Sequence, residues 1–191
     1  MIMLTASAIS SIEWLFEKSI HDNSVFSLTD RCVVTFLSDK APEVDDDNHL
    51  VLINISSYAF RIVALFSFNK DAATAAHFSR KSHNAEKTLC DQLLLDTYSE
   101  LVNLICGAVN QGLRNEFRHV ALSTPFVLAG SCVQYVSMLN FSMNKSINVV
   151  INESVVFNVI VGVCVNNNNI LDFDIDRAEQ QDISCGEIEL F

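Results

Sequence analysis

The residues with the clearest chemical potential lie in one predicted helix, over 86–114. Asp96, Glu100 and Asn103 follow one another at spacings of four and three residues. That spacing places an acid, a second acid and a carboxamide on one helical face. The polar stripe, which spans an arc of about 80°, is completed by Gln92, Gly107 and Asn110. The opposite face is expected to enter the core with Leu94, Tyr98, Leu101, Ile105, Ala108 and Gly112.

Two features distinguish this polar stripe from an ordinary solvated helix face. It contains no lysine, whereas solvated faces usually mix charges of both signs. It also contains Gly107 in mid-helix, where glycine costs roughly 0.5–1 kcal/mol relative to alanine. A glycine there suggests that another molecule approaches the backbone closely. Periodicity alone leaves the alternative of a simple solvated face open.

The residues around the stripe resemble the CheC/CheX/FliY superfamily of bacterial chemotaxis phosphatases. The shared pattern is an Asp or Ser, a Glu four residues later, an Asn three residues after that, and a Pro some twenty residues downstream. Here the pattern is met by Asp96, Glu100, Asn103 and Pro125. The run NLICG from Asn103 and the segment STPFVLAG at 123–130 add to the match, which covers about 35 residues.

The resemblance implies a phosphatase that acts on the aspartyl-phosphate of a CheY-like receiver domain. It implies that Asn103 orients the attacking water, because a carboxamide donates and accepts hydrogen bonds at once and does not titrate. Glu100 would pair with a lysine of the partner. The Mg²⁺ would belong to the partner too, so no cofactor or metal of the chain's own is expected. Supporting or partner-binding roles are expected for Asp96, Ser99, Gly107 and Asn110.

A repeated unit extends the resemblance over most of the chain. The segments LVLINISSYAFRIVALFSFN, from Leu50, and INVVINESVVFNVIVGVCVN, from Ile147, align without a gap over 20 residues. We therefore predict one domain over 1–191, with a first unit at 1–80, a second at 81–170 and an acidic segment at 171–191. The predicted helix over 5–20 carries Glu13, but Ile9 and Phe16 stand at the other two motif positions. The chain thus resembles the CheX type, which keeps only the site on the second helix.

The predicted fold is α/β (α+β), with a mainly antiparallel sheet packed against two longer helices that a pseudo-twofold axis relates. Thr5 or Ser7 is expected to cap the first helix, and Asn69 or Asp71 a short helix over 69–79. Family resemblance also suggests a homodimer formed through sheet edges, for which the long apolar strands are candidates. Strands are predicted at 32–37, 50–55, 58–68, 126–139, 147–152 and 155–165, with an edge strand at 170–175 and turns at 41–49 and 166–169.

Charge and composition exclude several function classes. The net charge of −11 disfavours binding to nucleic acid or to an anionic membrane, since both repel an acidic surface. The acidic segment holds seven carboxylates against Arg177 alone, as a solvated surface or as an acidic docking edge. The histidines show no metal-ligand spacing, and the Asp45–Asp47 run lacks the glycine and glutamate of a calcium loop.

Cysteine usage and hydropathy predict the compartment. The six cysteines contain no C-x-x-C pair and lie mostly in apolar runs, where cysteine behaves as a small hydrophobic residue. No apolar run approaches the ~18 residues of a membrane span. We therefore expect a reduced, cytoplasmic protein. A non-catalytic binding module of the same superfamily, working in chemotaxis or two-component signalling, is the alternative to the phosphatase.

Overall fold

Two long helices lie side by side against a seven-stranded sheet in the computed structural model of the chain. The structure describes residues 4–37, 48–80, 91–166 and 170–177. The predictions for 41–47, 86–90, 167–169 and 178–191 lie outside these ranges. The helices are α1 (Ala6–Ser24), α2 (Ala72–Ser79), α3 (Asp91–Arg114) and a 3₁₀ helix (Gly130–Leu139). The strands are β1 (Cys32–Leu37), β2 (His49–Ser57), β3 (Phe60–Phe68), β4 (Val120–Leu122), β5 (Phe126–Leu128), β6 (Met143–Ile151) and β7 (Val155–Val165).

The order of the strands reveals the pseudo-twofold arrangement. The sheet runs β1-β6-β7-β3-β2-β4, β5 also pairs with β2, and every pairing is antiparallel. The hairpins β2–β3 and β6–β7 meet at the centre. The strand that follows α1 pairs with the second hairpin, and the strands that follow α3 pair with the first. The predicted fold class is therefore confirmed, and the two units share one sheet.

The gap-free alignment of the two hairpins is wrong in its first strand. Four residues separate the paired Ser56 and Arg61, whereas three separate the paired Ile151 and Val155. A difference of one residue exchanges the two faces of a strand. The alignment accordingly places Ile53, which is fully buried, opposite Val150, which is half-buried.

Two helices begin where a side-chain oxygen accepts a hydrogen bond from a backbone N–H of the first turn. Thr5 Oγ1 accepts a hydrogen bond from the Ala8 N–H at 3.2 Å, and Asp71 Oδ1 accepts one from the Thr74 N–H at 2.8 Å. Each bond satisfies a donor that the helix itself leaves free. The predicted caps Thr5 and Asp71 are confirmed, and α2 begins at Ala72 rather than at Asn69 for this reason.

The predicted strand over 126–139 is wrong beyond Leu128. Residues 130–139 form the 3₁₀ helix, and it covers the sheet face opposite α1 and α3. Its Cys132, Val133 and Val136 pack on a small cluster formed by Leu50, Leu65 and Ile160. An apolar run of this length fits a strand or a buried helix equally well by periodicity, and tertiary packing decides between them. Strand β4 was not predicted, because three residues are too few for a periodic signal.

The predicted edge strand over 170–175 is also wrong. The segment makes one isolated parallel bridge, between Leu171 and Leu4. Its alternating Leu171, Phe173 and Ile175 are buried, but they pack as an extended segment along α1 rather than in the sheet. Apolar residues at every second position show which side of an extended segment is buried. They do not show which other element the segment packs against.

The two long apolar strands proposed as dimer edges lie at the centre of the sheet. Strands β3 and β7 pair with each other along Phe60–Phe68 and Phe157–Val165. That part of the dimer prediction is wrong, because paired strands offer no free edge. Among the described strands, the edges of the sheet are β1 on one side and β4 with β5 on the other. Within the described ranges, no helix is long and apolar enough to cross a membrane.

Candidate functional site

The candidate site lies on α3, whose apolar face fixes the helix on the sheet. Leu101, Ile105 and Val109 are fully buried, and α3 packs against α1 and against strands β2 and β4. The predicted core face is confirmed at Leu94, Tyr98 and Gly112 as well, and it is wrong at Ala108, which is exposed. The packing makes α3 a rigid mount with fixed spacing between its outward side chains.

The central residues of the predicted stripe are open to solvent. Asp96, Glu100 and Asn103 are exposed, and Ser99 is half-buried. Asp96 Oδ1 accepts a hydrogen bond from Gln92 Nε2 at 3.1 Å, so this acid is held by its own helix. With the rest of the described chain, neither Glu100 nor Asn103 forms a hydrogen bond or an ion pair. Both side chains are therefore free to engage a second molecule.

Gly107 faces open space one turn beyond Asn103. A Cβ added there would meet nothing within 4 Å. The protein's own packing therefore does not require glycine at this position. The expectation that an outside molecule approaches this backbone stays a prediction.

Apolar side chains border the polar pair, which the sequence analysis did not anticipate. Leu104 is 40% exposed and Ala108 is exposed one turn later. They lie beside Glu100 and Gly107 on the outward arc of α3. The signal was available, since a leucine next to the motif asparagine falls outside the apolar stripe when the helix is drawn at 100° per residue.

Asn110 does not belong to the exposed stripe. Its side chain is 7% exposed, and its Oδ1 has no hydrogen-bond partner among the described residues. Helical periodicity placed it within about 20° of Asn103, but the surroundings of the last turns of α3 cover it. Direct contact of Asn110 with a partner is therefore not supported by its position.

The equivalent face of α1 is occupied by the protein itself. Glu13 Oε1 lies 3.1 Å from Lys145 Nζ. Arg177 donates a hydrogen bond to Ser10 Oγ at 2.8 Å and lies over the Trp14 ring. The described part of the acidic segment is thus bound along α1, and it leaves Glu100 and Asn103 of α3 uncovered.

The segment with Ser123 and Pro125 forms a bulge at the sheet edge beside α3. Ile55 pairs with Leu122 and Leu52 pairs with Phe126, so one extra residue lies on the edge side. Ser123 Oγ accepts a hydrogen bond from the Asn54 N–H at 3.0 Å, and the Ser123 N–H donates to Asn54 O at 2.9 Å. Proline is tolerated here because a bulge leaves its position outside the ladder.

Buried titratable groups occur at the junction of α2 with the loop before β1. Burial lowers the pKa of His77, and its Nε2 lies 2.9 Å from Ser24 O. A hydrogen bond from Asn152 Nδ2, at 2.7 Å, lowers the pKa of Asp30, to which Phe26 N–H also donates. Arg80 lies 3.6 Å from the same carboxylate. These contacts hold α2 in the core and do not reach the exposed face of α3.

No candidate metal centre is found in the described ranges, where no group of three or more His, Cys, Asp or Glu side chains is arranged to hold an ion. The free cysteines in these ranges are Cys32, Cys106, Cys132 and Cys164. Burial raises the pKa of Cys32 to about 11 and raises the pKa of Cys106 further. Both thiols therefore stay protonated near neutral pH and are poor nucleophiles.

The fold is similar to solved chemotaxis proteins over most of the chain. CheX from Borrelia burgdorferi, solved as a CheX–CheY–BeF₃–Mg²⁺ complex, superposes with a TM-score of 0.59 at 11% identity, covering 81% of this chain and 96% of that one. CheX from Vibrio vulnificus superposes with a TM-score of 0.57 at 12% identity, and the match covers 82% of this chain and 98% of the Vibrio protein. A CheC-like superfamily protein from Shewanella sp. PV-4 superposes with a TM-score of 0.53 at 11% identity, and the match covers 84% of this chain and 99% of the Shewanella protein.

These similarities establish a fold. No protein-family model matches the chain, and no curated protein matches it. The chain shares its fold with solved CheX and CheC-like chemotaxis proteins, which agrees with the fold that the resemblance of the residues from Asp96 to Gly130 implied.

Proposed function

We propose that this protein hydrolyses the aspartyl-phosphate of a CheY-like receiver domain. One observation carries the proposal. Glu100 and Asn103 are exposed one turn apart on a helix that the core holds rigidly, and neither has a partner among the described residues. An acid and a carboxamide held this way can enter the active site of another protein together.

The reaction requires little covalent chemistry from this chain. A water oxygen attacks the phosphorus in line, the bond from phosphorus to the aspartyl oxygen breaks, and a free carboxylate and inorganic phosphate result. Catalysis then depends on positioning and on charge stabilisation. The Asn103 carboxamide would accept a hydrogen bond from this water and donate one to a phosphoryl oxygen. The Mg²⁺ that neutralises phosphoryl charge belongs to the receiver.

Glu100 would act as the orienting residue. Its carboxylate can pair with a lysine of the receiver, and such a charge-assisted hydrogen bond is stronger than a neutral one. Because Glu100 lies one helical turn from Asn103, the two contacts together would fix how the receiver is rotated about Asn103. The CheX–CheY complex among the similar structures supports a receiver domain as the partner class.

A non-catalytic binding module is the second candidate, because the exposed Leu104 and Ala108 would serve a docking surface without any chemistry. Apolar side chains next to a polar pair are what a docking surface needs, whether or not chemistry follows. The two candidates differ in one respect. A binding module forms the complex with the receiver but leaves the lifetime of the aspartyl-phosphate unchanged.

We also propose a cytoplasmic homodimer. Receiver domains work in the cytoplasm with reduced thiols, which agrees with the unpaired state of the four cysteines in the described ranges. For the dimer, β1 or β4 with β5 would supply the contact, since these are the edges of the sheet among the described strands. Sedimentation equilibrium tests the dimer independently of activity.

The experiment that tests the function uses receiver domains of the source organism phosphorylated with acetyl phosphate. Phosphate release is followed after removal of the donor, with and without this protein. Faster release from at least one receiver supports the phosphatase. Binding of a phosphorylated receiver without faster release supports the binding module instead.

A further inference from the structure

A basic cluster lies at the far end of the helix that carries the candidate site. Arg114 is the last residue of α3, and Arg118 and His119 follow in the turn that leads into β4. All three side chains are exposed, and they line one shallow depression with Val120 and Ala121. The cluster therefore presents two fixed positive charges beside the His119 imidazole.

The cluster has no counter-charge among the described residues. Lys18, Lys145 and Arg80 each lie within 4 Å of a carboxylate, whereas Arg114 and Arg118 form no such pair with the described parts of the chain. Glu116, in the same turn, is exposed and does not pair with either arginine. In a chain with 12 basic against 23 acidic residues, two nearby arginines that form no ion pair with a described carboxylate give this turn a local excess of positive charge, even with Glu116 beside them.

Ideal helix geometry places Arg114 on the same side of α3 as the candidate site. Arg114 follows Asn103 by 11 residues, which at about 100° and 1.5 Å per residue is a rotation of only about 20° and a translation of about 16 Å. On this geometry the side of α3 that carries Glu100 and Asn103 near the middle of the helix carries Arg114 at its last residue, with the buried Asn110 between them. Gly107, where a Cβ would meet nothing, lies between them.

That distance places Arg114 at the rim of any stable complex centred on Asn103. A specific protein interface buries about 800 Å² on each partner, which is roughly a disc of 16 Å radius. Charges at a rim act mainly on the association rate and on the salt dependence of binding. The net charge of −11 would otherwise repel an acidic partner.

We infer that Arg114, Arg118 and His119 form a second docking point, which binds an acidic surface of the same receiver domain whose phosphate Asn103 meets. This inference rests on the proposed function. The cluster steers the partner to α3 and fixes its orientation along the helix, and it takes no part in the chemical step.

The test is a double charge reversal at the cluster, with a single charge reversal at a distant exposed arginine as the control. The variant carries Arg114→Glu and Arg118→Glu. The control is Arg31→Glu, because Arg31 is exposed, has no ion pair with the described residues, and precedes β1 at the opposite edge of the sheet. Receiver dephosphorylation is measured for each protein between about 20 and 300 mM salt, with the melting temperature as a check on folding.

The expected result is a loss of about tenfold in kcat/KM at low salt for the double variant. The turnover at saturating receiver should stay unchanged, and the dependence of kcat/KM on salt should be flatter. The control should change kcat/KM by less than about twofold. Replacement of an acidic residue of the receiver by lysine would identify the contact if it restores the rate of the double variant.

The inference is overturned if the double variant matches Arg31→Glu in rate and in salt dependence, or if kcat falls while KM stays constant. Failure of the proposed function gives a different result, because the wild-type protein then dephosphorylates no receiver. In that case direct titration of a fluorescent receiver still decides the docking point. Salt-sensitive binding that the double variant loses supports it, and wild-type binding that is absent or unaffected by the variant overturns it.

Discussion

Lys145 of β6 lies 3.1 Å from the Glu13 carboxylate of α1. The pseudo-twofold axis relates α1 to α3, yet the acid on α3 has no such partner. Glu100 is exposed and forms no ion pair with the described chain. One helix therefore has its carboxylate neutralised within the protein, while the other keeps a carboxylate for a second molecule.

The two glutamates should respond differently to removal of their charge. Glu100→Gln should lower kcat/KM for receiver dephosphorylation by roughly thirtyfold, because losing one side of a charged interfacial hydrogen bond costs about 2 kcal/mol. Glu13→Gln should leave catalysis unchanged. Both should keep the free energy of unfolding within about 0.5 kcal/mol, as surface substitutions and surface ion pairs usually do. Steady-state kinetics and urea titration measure the two effects, and equal rates for the two variants would remove Glu100 from the site.

Gly107→Ala should separate stability from function. An added Cβ meets nothing within 4 Å, so the helix should gain roughly 0.5–1 kcal/mol in free energy of unfolding. If the receiver approaches this backbone closely, the same methyl group should weaken receiver binding.

A matched control for that change is Ala108→Gly on the same exposed turn, which should lose stability by a similar amount. Urea titration measures the stabilities, and receiver titration measures the affinities. A variant that is more stable and binds the receiver as well as the wild type would show that no close approach occurs at Gly107.

The helix that carries the candidate site was predictable because its signals are local. The spacing from Asp96 to Asn103 and the apolar period around it fixed the helix, its buried face and its exposed acid–carboxamide pair. The prediction that Asn110 lies on the exposed stripe was wrong. Its burial depends on what packs over the last turns of α3, and helical spacing contains no such information. The exposed Leu104 was not predicted, although its position on the helix lies outside the apolar stripe.

The less predictable parts of the fold depend on contacts between distant segments. The run after Leu128 is a 3₁₀ helix because Leu50, Leu65 and Ile160 need a cover on the second sheet face. The segment from Ile170 lies along α1 although its alternation is that of a strand. Local pattern predicts which side of a segment is buried, and the rest of the chain decides what buries it.

Gly162→Ala should destabilise the protein. Gly162 lies in β7, and a Cβ there would overlap the Phe141 ring. Displacing that ring should lower the free energy of unfolding by about 1–3 kcal/mol. In a Phe141→Ala background the same change should be nearly neutral, so a double-mutant cycle by urea titration measures the coupling. Additive effects would show that the ring does not require the glycine.

Stability should fall as the pH drops from about 7.5 to 5.5. Burial lowers the pKa of His77 and of His49 in the folded protein, whereas the unfolded chain takes up protons near pH 6.5. The unfolded state then binds more protons in this window, so stability rises with pH and is lost on acidification, by at most about 1.4 kcal/mol per pH unit for each histidine. The lowered pKa of Asp30 also makes stability fall on acidification. This loss occurs at lower pH, below the ordinary pKa of an aspartate.

His77→Gln isolates one of these contributions, because its amide can still donate to Ser24 O. The free energy of unfolding should depend less steeply on pH in this variant than in the wild-type protein. Urea titrations at five pH values between 5.5 and 7.5 measure both slopes. An unchanged slope for His77→Gln would mean that His77 does not couple folding to pH.

The most direct test of the central claim compares Asn103→Ala with Gln111→Ala, which removes an exposed amide two turns further along α3. Each variant is assayed for the lifetime of the receiver aspartyl-phosphate and for affinity for the receiver. Asn103→Ala is predicted to slow the protein-dependent hydrolysis by about 10²–10³-fold, the usual cost of losing one preorganised hydrogen-bonding group at a reacting centre. It should bind the receiver with an affinity within a few-fold of the wild type, and Gln111→Ala should behave as the wild type in both assays. Hydrolysis by Asn103→Ala at the wild-type rate would contradict the account.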